Sequence, residues 1–355
     1  MSTSPATAAP RLPALTRGRG YASDERGRSD LRLHYVLLGL IVLGGMLIRL
    51  RYLNEPMRWD EAATFQEYAR GSVGTITSSY NRPNNQILYT LLTHFGIKTF
   101  GEAVWAVRLV AFAAGVAIVP AAYLAARRLY NATAGLWAAA LTATFGPLVD
   151  YSVNGRGYTL GALFVVLALW LGARIVDGAR WPTWAGFVAS CVAAVYTLPT
   201  MAIGIGAVGL WMASNSLRQP RKLALIAGAF AVAGGLALLL YSAVLGQRGW
   251  TAVTPAPKEW HSIKVLAQAV FENWNRTAPH PLDWLVAAAF VASLAVHRKI
   301  AKHPFPIALA TIVVVIGALH VGPIAPFVRS WMFLLPLYLI QASAGAAWAT
   351  ERAGR

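Results

Sequence analysis

Acidic residues are scarce in this chain: 14 Asp plus Glu among 355 residues, against 31 Lys plus Arg, for a formal charge of +17. Charged residues of both signs reach only 13%, roughly half the share of a soluble domain, while 57% of the chain is hydrophobic. A single cysteine, Cys191, excludes an internal disulfide and a cysteine metal site, and its apolar surroundings make it a packing residue. No glycine-rich phosphate loop is present, so nothing points to a nucleotide. The first thirty residues hold no short apolar core followed by a small-residue cleavage site, so the first apolar run is expected to stay as an uncleaved anchor. In a soluble protein the basic excess would suggest nucleic acid. Here Lys and Arg fall between apolar runs of about 20 residues, so membrane topology accounts for them and no nucleic-acid partner is expected.

Runs able to cross a bilayer lie near 33–52, 104–126, 133–150, 158–176, 182–198, 200–216, 223–245, 283–297, 305–320 and 331–349. With no water to bond the backbone, each must be a helix. The expected architecture is an all-α polytopic membrane protein with about ten transmembrane helices, and 182–216 is readable as one helix broken at Pro199. Residues 1–30, rich in Pro, Ser, Ala, Arg and Gly, read as a disordered cytoplasmic tail, and 31–350 as one transmembrane domain.

Orientation follows from the basic residues. With the N-terminus in the cytoplasm, every short inside segment is basic: the tail with Arg11 to Arg32, then Arg127 and Arg128, Arg174 and Arg180, Arg218 with Arg221 and Lys222, Arg298 with Lys299 and Lys302, and finally Arg352 with Arg355. Both termini are then cytoplasmic, in a plasma membrane. Two long loops, near 53–103 and 246–282, fall outside, and long loops on one face carry function. The first contains helical pieces at 60–70 and 85–100 suited to the membrane interface. The second mixes Trp250, Trp260 and Trp274 with Lys258, His261, Lys264 and Arg276, groups that suit sugar rings and phosphates.

Chemistry-bearing residues cluster on that outer side. Arg58-Trp59-Asp60-Glu61 follows the first span, and two adjacent carboxylates are conspicuous where acids are few. Asp60 can be a general base; the alternative makes Asp60 an N-cap and Glu61 a first-turn acid. Asn81-Arg82-Pro83-Asn84-Asn85-Gln86, leading to Tyr89, is a turn and helix start with a cation and amides for a ligand. Arg108 opens the second span, where it snorkels or faces an anion. Asp150 to Tyr158 closes the third span, with Arg156 and Tyr158 able to project into a cleft, or with Asp150 and Arg156 anchoring the loop. Arg329 stands at the outer end of the last span.

The ordered set resembles a known family. It runs from Asp60-Glu61 through the Pro83 turn, Leu88-Tyr89, Phe100-Gly101-Glu102 and Arg108-Leu109. Arg127-Arg128, Tyr151-Ser152 with Arg156 and Tyr158, and Arg329 with Leu335-Pro336-Leu337 complete it. It is similar to the GT-C glycosyltransferases, in the branch of dolichyl-phosphate-mannose protein mannosyltransferases and bacterial aminoarabinose lipid A transferases. The likeness covers roughly residues 35–176 and, more weakly, 325–340. It implies a GT-C fold with interfacial helices in the first outer loop and a catalytic carboxylate there, matching Asp60 with Glu61 beside it. It also implies a polyprenyl-phosphate-sugar donor and inversion at the anomeric carbon. Arg58, Arg82, Asn84, Asn85, Tyr89, Arg156, Tyr158, Lys258, His261 and Arg329 are the expected substrate contacts. The phosphate is expected between Arg156 and Arg329, and the acceptor hydroxyl belongs to an unspecified glycan, lipid or protein. Asp60 and Glu61, as hard oxygen ligands, are compatible with a divalent metal, and no cofactor is required. The chain has Pro83-Asn84 where many relatives have Pro-Pro, and Val153-Asn154-Gly155 where they have Gln-Glu-Ala; the large C-terminal soluble domain that some carry is not expected here. A lipid flippase is the alternative, against which stands the lack of midspan acids.

Overall fold

In the computed structural model the described residues are 19–80, 85–249, 263–275, 281–321 and 328–354. Among them there is no strand. The chain runs through α1 (Arg19–Tyr52), α2 (Trp59–Thr64), a π-helical turn (Phe65–Ala69), α3 (Val73–Ser78), α4 (Ile87–Phe100), α5 (Val104–Leu129), α6 (Ala132–Thr144) and α7 (Gly146–Ser152). It continues through α8 (Tyr158–Val176), α9 (Trp181–Thr197), α10 (Met201–Ser214), α11 (Pro220–Arg248) and α12 (Ile263–Asn275). The last part holds α13 (Leu282–Ala295), α14 (His297–Ile300), α15 (Ile307–Val321), a 3-10 turn (Val328–Trp331) and α16 (Leu334–Ala353).

Each of the apolar runs is helical, and all but 133–150 coincide with a single helix. By length and composition four of these helices can cross a membrane, or five if the bent pair α6–α7 is one span; three shorter apolar helices, within α10, α13 and α15, fall below that length. The break expected at Pro199 is present, separating α9 from α10. A break inside 133–150 was not expected. Pro147 at the start of α7 removes an N–H, and the helix axis turns by 58° there. Of the expected tail, residues 1–18 lie outside the described residues. The backbone of residues 19–31 continues α1 as a polar helical extension, because no proline interrupts the chain between Pro13 and Pro56 and propagation from a formed helix is cheap.

Burial sorts the helices. The most apolar window of α8 is 67% buried, against 11% for α1 and 17% for α11, so α8 is central and the other two are peripheral. The peripheral helices turn Leu40, Leu43 and Leu47 or Leu225, Val232 and Leu239 outward, as lipid-facing surfaces require. The interior is built from small residues. Ala111, Ala114, Ala122, Ala138 and Ala162 are buried between α5, α6 and α8, which lets backbones approach closely. At the α13–α16 crossing a Cβ on Gly345 would overlap the Ala289 carbonyl. Ends are set locally: Asn131 caps α6 by accepting from the Ala134 N–H (2.8 Å), and Gly178, at φ 93°, closes α8.

Candidate active site

The loop expected to hold chemistry folds as α2, the π turn, α3 and α4 across one end of the bundle. Its organising contact is a buried ion pair. Arg108, in the first turns of α5, donates from Nε to Glu61 Oε1 (2.5 Å) and from Nη2 to Oε2 (2.8 Å). The other donors on that carboxylate are the Gly155 N–H to Oε1 (2.8 Å) and the Arg58 N–H to Oε2 (2.9 Å). Each oxygen thus accepts twice, and the side chain is 0% exposed. A buried carboxylate is tolerated when every lone pair is used in this way. Arg108 spends its remaining donors on the carbonyls of Leu53 (2.9 Å), Glu55 (2.8 Å) and Pro56 (3.2 Å), which shapes the turn leaving α1. Arg108 therefore neither snorkels nor faces a ligand: it builds the floor of the site.

Glu61, expected beside Asp60 in catalysis, is a structural acceptor. The N-cap of α2 is Arg58, with Glu61 bonding back to the Arg58 amide, so Asp60 is not the capping residue. The Asp60 carboxylate is instead turned outward. It keeps 27% of its side chain exposed and meets Arg329 Nη1 at 2.7 Å, an ion pair that joins the first loop to the 3-10 turn before α16. Beside it Arg58 makes a two-pronged pair with Asp150, including Nη1 to Oδ2 at 2.9 Å. That bond holds the Arg58 pKa above its usual value.

Arg156 is 1% exposed. Its Nη1 donates to the Asp60 carbonyl (3.1 Å) and to Thr64 Oγ1 (3.0 Å), and its guanidinium lies over the Tyr158 ring at 5.5 Å. It anchors the helix that presents Asp60, and its Nη1 is taken up by protein acceptors in a buried position. Tyr158 is buried against it and against Tyr151. Asn85 and Tyr89, expected to touch substrate, are fully buried. Asn85 Nδ2 donates to the carbonyls of Ile76 (2.8 Å) and Ser79 (2.7 Å), and the Tyr89 hydroxyl donates to Val107 O (2.9 Å). Both are spent on packing the loop because their donors face backbone carbonyls rather than the open end. Arg82, Asn84, Lys258 and His261 lie outside the described residues.

Two glycines explain the Val153–Tyr158 loop. A Cβ on Gly155 would stand 2.9 Å from Glu61 Oε1, and one on Gly157 2.7 Å from the Tyr89 Cβ. The Gly157 N–H donates to Gln86 Oε1. Thr64 was not singled out from sequence, and Gln86, Gly155 and Gly157 stood there only within turn and loop segments, since the roles of all four lie in contacts with distant segments. A divalent metal held by Asp60 and Glu61 does not fit this arrangement: Glu61 cannot turn to a cation without abandoning Arg108 and two amides. Among the described residues no three His, Cys, Asp or Glu side chains converge.

An apolar groove of about 400 Å³ runs between α9, α10 and α11, lined by residues such as Cys191, Pro199, Phe230 and Tyr241. Tyr241 stacks edge-on against Tyr196 at 5.5 Å and shares a cluster with Tyr80, just after α3, so the groove adjoins the first loop.

An all-helical membrane bundle crowned by a carboxylate-bearing helical loop is the GT-C fold of membrane glycosyltransferases, and solved structures of that class superpose on it. The ArnT protein of Cupriavidus metallidurans matches with a TM-score of 0.62 at 15% identity, over 89% of this chain and 61% of that one. Its undecaprenyl phosphate complex gives 0.62 at 16%, over 89% and 62%. The archaeal oligosaccharyltransferase AglB of Archaeoglobus fulgidus, solved with an inhibitory peptide and a dolichol-phosphate, gives 0.57 at 12%, over 90% and 50%. The chain spans about three fifths of the length of ArnT. At these identities the likeness is one of fold. The family model for dolichyl-phosphate-mannose-protein mannosyltransferases matches residues 82–246, so the resemblance read from the motifs is borne out, and the chain is an integral membrane protein with the fold of that class. No curated protein sequence matches it.

Proposed function

We propose that the chain is an inverting glycosyltransferase that moves a sugar from a polyprenyl-phosphate donor to an acceptor hydroxyl on the extracytoplasmic face. The observation that carries this reading is the contrast between adjacent acids. Glu61 is sealed at 0% exposure, whereas Asp60, on the helix Glu61 anchors, is 27% exposed at the open end of the bundle. A rigid element presenting one accessible carboxylate is what a general base requires.

Asp60 takes the proton of the acceptor hydroxyl while that oxygen attacks the anomeric carbon. The bond from that carbon to the phosphate oxygen breaks, its electron pair leaves with the lipid phosphate, and one displacement inverts the centre. The departing phosphate gains charge, which a fixed cation stabilises. Arg329 is that cation. While paired with Arg329, Asp60 is a weakened base. A phosphate that draws Arg329 toward itself frees the carboxylate, so donor binding and activation of the base are linked. Arg58 is the second exposed cation nearby. The groove between α9 and α11 suits the prenyl tail.

That groove taken alone would equally serve a lipid flippase, and one assay separates the two. Purified protein is incubated with a radiolabelled polyprenyl-phosphate sugar and an extract of envelope acceptors. Release of unglycosylated lipid phosphate supports transfer; movement of intact lipid between leaflets without release overturns it. Sidedness is tested by labelling introduced cysteines from outside: one at Ser72 is expected to react and one at Ser216 not to, and the reverse pattern overturns the topology.

A further inference from the structure

The first span carries an arginine that this chemistry does not use. Arg49, one turn before the end of α1, is 0% exposed. Its guanidinium bonds only backbone carbonyls: Nη1 donates to Gly45 O (2.9 Å) and Ala143 O (2.8 Å), and Nη2 to Thr142 O (3.1 Å). Its Nε has no partner among the described residues. A buried cation with no bonded acid in a membrane bundle is costly, so its position calls for a reason.

The reason lies in α6. In an unbroken helix the carbonyls of Thr142 and Ala143 would accept from the N–H groups four residues on, those of Gly146 and Pro147. Pro147 has none, and the 58° turn between α6 and α7 removes the other. Two carbonyls are therefore orphaned where no water reaches them. The planar fork of Arg49 serves both, and its charge sits at the negative end of the α6 dipole. The joint is closed from α5: a Cβ on Gly115 would overlap Ser152 Oγ and stand 3.1 Å from Arg49 Nε.

We infer that Arg49 is a positioning residue: by capping the broken α6–α7 span from α1, it aims α7 and the loop after it at the catalytic helix. Downstream of the joint, Asp150 grips Arg58, the Gly155 amide bonds Glu61, and Arg156 bonds the Asp60 carbonyl. Three of the attachments that hold α2 thus hang from the segment Arg49 directs, beside the Arg108 and Arg329 pairs that reach it from α5 and from the turn before α16. A displacement of about 1 Å at reacting atoms costs on the order of 10²-fold in rate.

The test uses the full chain with Arg49→Met and Arg49→Lys, and has two readouts. Hydrogen–deuterium exchange over residues 145–157 is expected to accelerate on the order of tenfold in Arg49→Met, less in Arg49→Lys, and to stay unchanged in α9 and α10. The kcat is expected to fall on the order of 10²-fold with donor KM held within about threefold. Arg49→Lys, whose ammonium reaches one carbonyl, carries the same test if the Met variant fails to accumulate. Unchanged exchange over 145–157, or acceleration spread evenly over all helices, would overturn the inference. Only the kinetic readout rests on the transferase reading: if the wild-type chain transfers nothing, the exchange pattern still decides the role of Arg49.

Discussion

Glu61→Gln puts the division of labour between the two acids to a quantitative test. The amide has nearly the shape of the carboxylate but one oxygen becomes an N–H₂ donor. Whichever oxygen is replaced, two donors lose their acceptor: Arg108 Nε with the Gly155 amide, or Arg108 Nη2 with the Arg58 amide. The charge opposite Arg108 disappears as well, and Arg108 is 2% exposed. Removing one partner of such a buried pair costs roughly 3–5 kcal/mol. Asp60→Asn behaves in the opposite sense. Its pair with Arg329 is about a third exposed on both sides, so its contribution to stability is about 0–1 kcal/mol. Denaturant titration of both variants in detergent, alongside transfer rates, reads the crossing. Glu61→Gln is expected to lose stability, with activity falling through misplacement of α2, whereas Asp60→Asn loses activity at nearly unchanged stability. A Glu61→Gln protein as stable as wild type yet inactive would refute the reasoning and return Glu61 to the chemistry.

Three further outcomes follow from the same contacts. Gly155→Ala places a methyl 2.9 Å from Glu61 Oε1, so it is expected to cost about 1–3 kcal/mol and to lower kcat, measured by unfolding and steady-state kinetics. Arg329→Lys is expected to raise donor KM and lower kcat together, since a point charge cannot reproduce the fork on a phosphate; unchanged constants would remove Arg329 from the site. At the other end of the bundle, burial lowers the pKa of His303, next to Asp177 (3.0 Å). It binds fewer protons folded than unfolded, so stability is full above the ordinary histidine value of about 6.5 and falls as pH drops below it. Thermal unfolding between pH 7.5 and 5 checks this, and His303→Gln should flatten the profile.

The transmembrane helices were legible because a bilayer imposes one rule, that the backbone bond to itself, and the rule leaves long apolar runs. Asp60 was legible for a related reason: an acid is conspicuous where acids are few. What stayed hidden were the partners. Only the Arg58 amide distinguishes Glu61 from Asp60 locally; what chiefly separates them is Arg108 from α5 and the Gly155 amide from a loop 94 positions away. Arg156 reads as a phosphate ligand until its guanidinium is found on the Asp60 carbonyl. Pro147 sits inside an apolar run whose composition conceals the bend, and Arg49 passes for an ordinary residue at the end of a span until the orphaned carbonyls of Thr142 and Ala143 explain it. In each case sequence carried the residue type, and only the fold supplied the group opposite.

The central claim is that Asp60 removes a proton as the sugar leaves its lipid phosphate. The most direct measurement is a single-turnover assay of lipid-phosphate release by wild-type and Asp60→Asn proteins, with donor affinity determined on the same samples. The account predicts unimpaired donor binding in the variant and release slowed by roughly 10²- to 10⁴-fold. Release at more than about a tenth of the wild-type rate would contradict it.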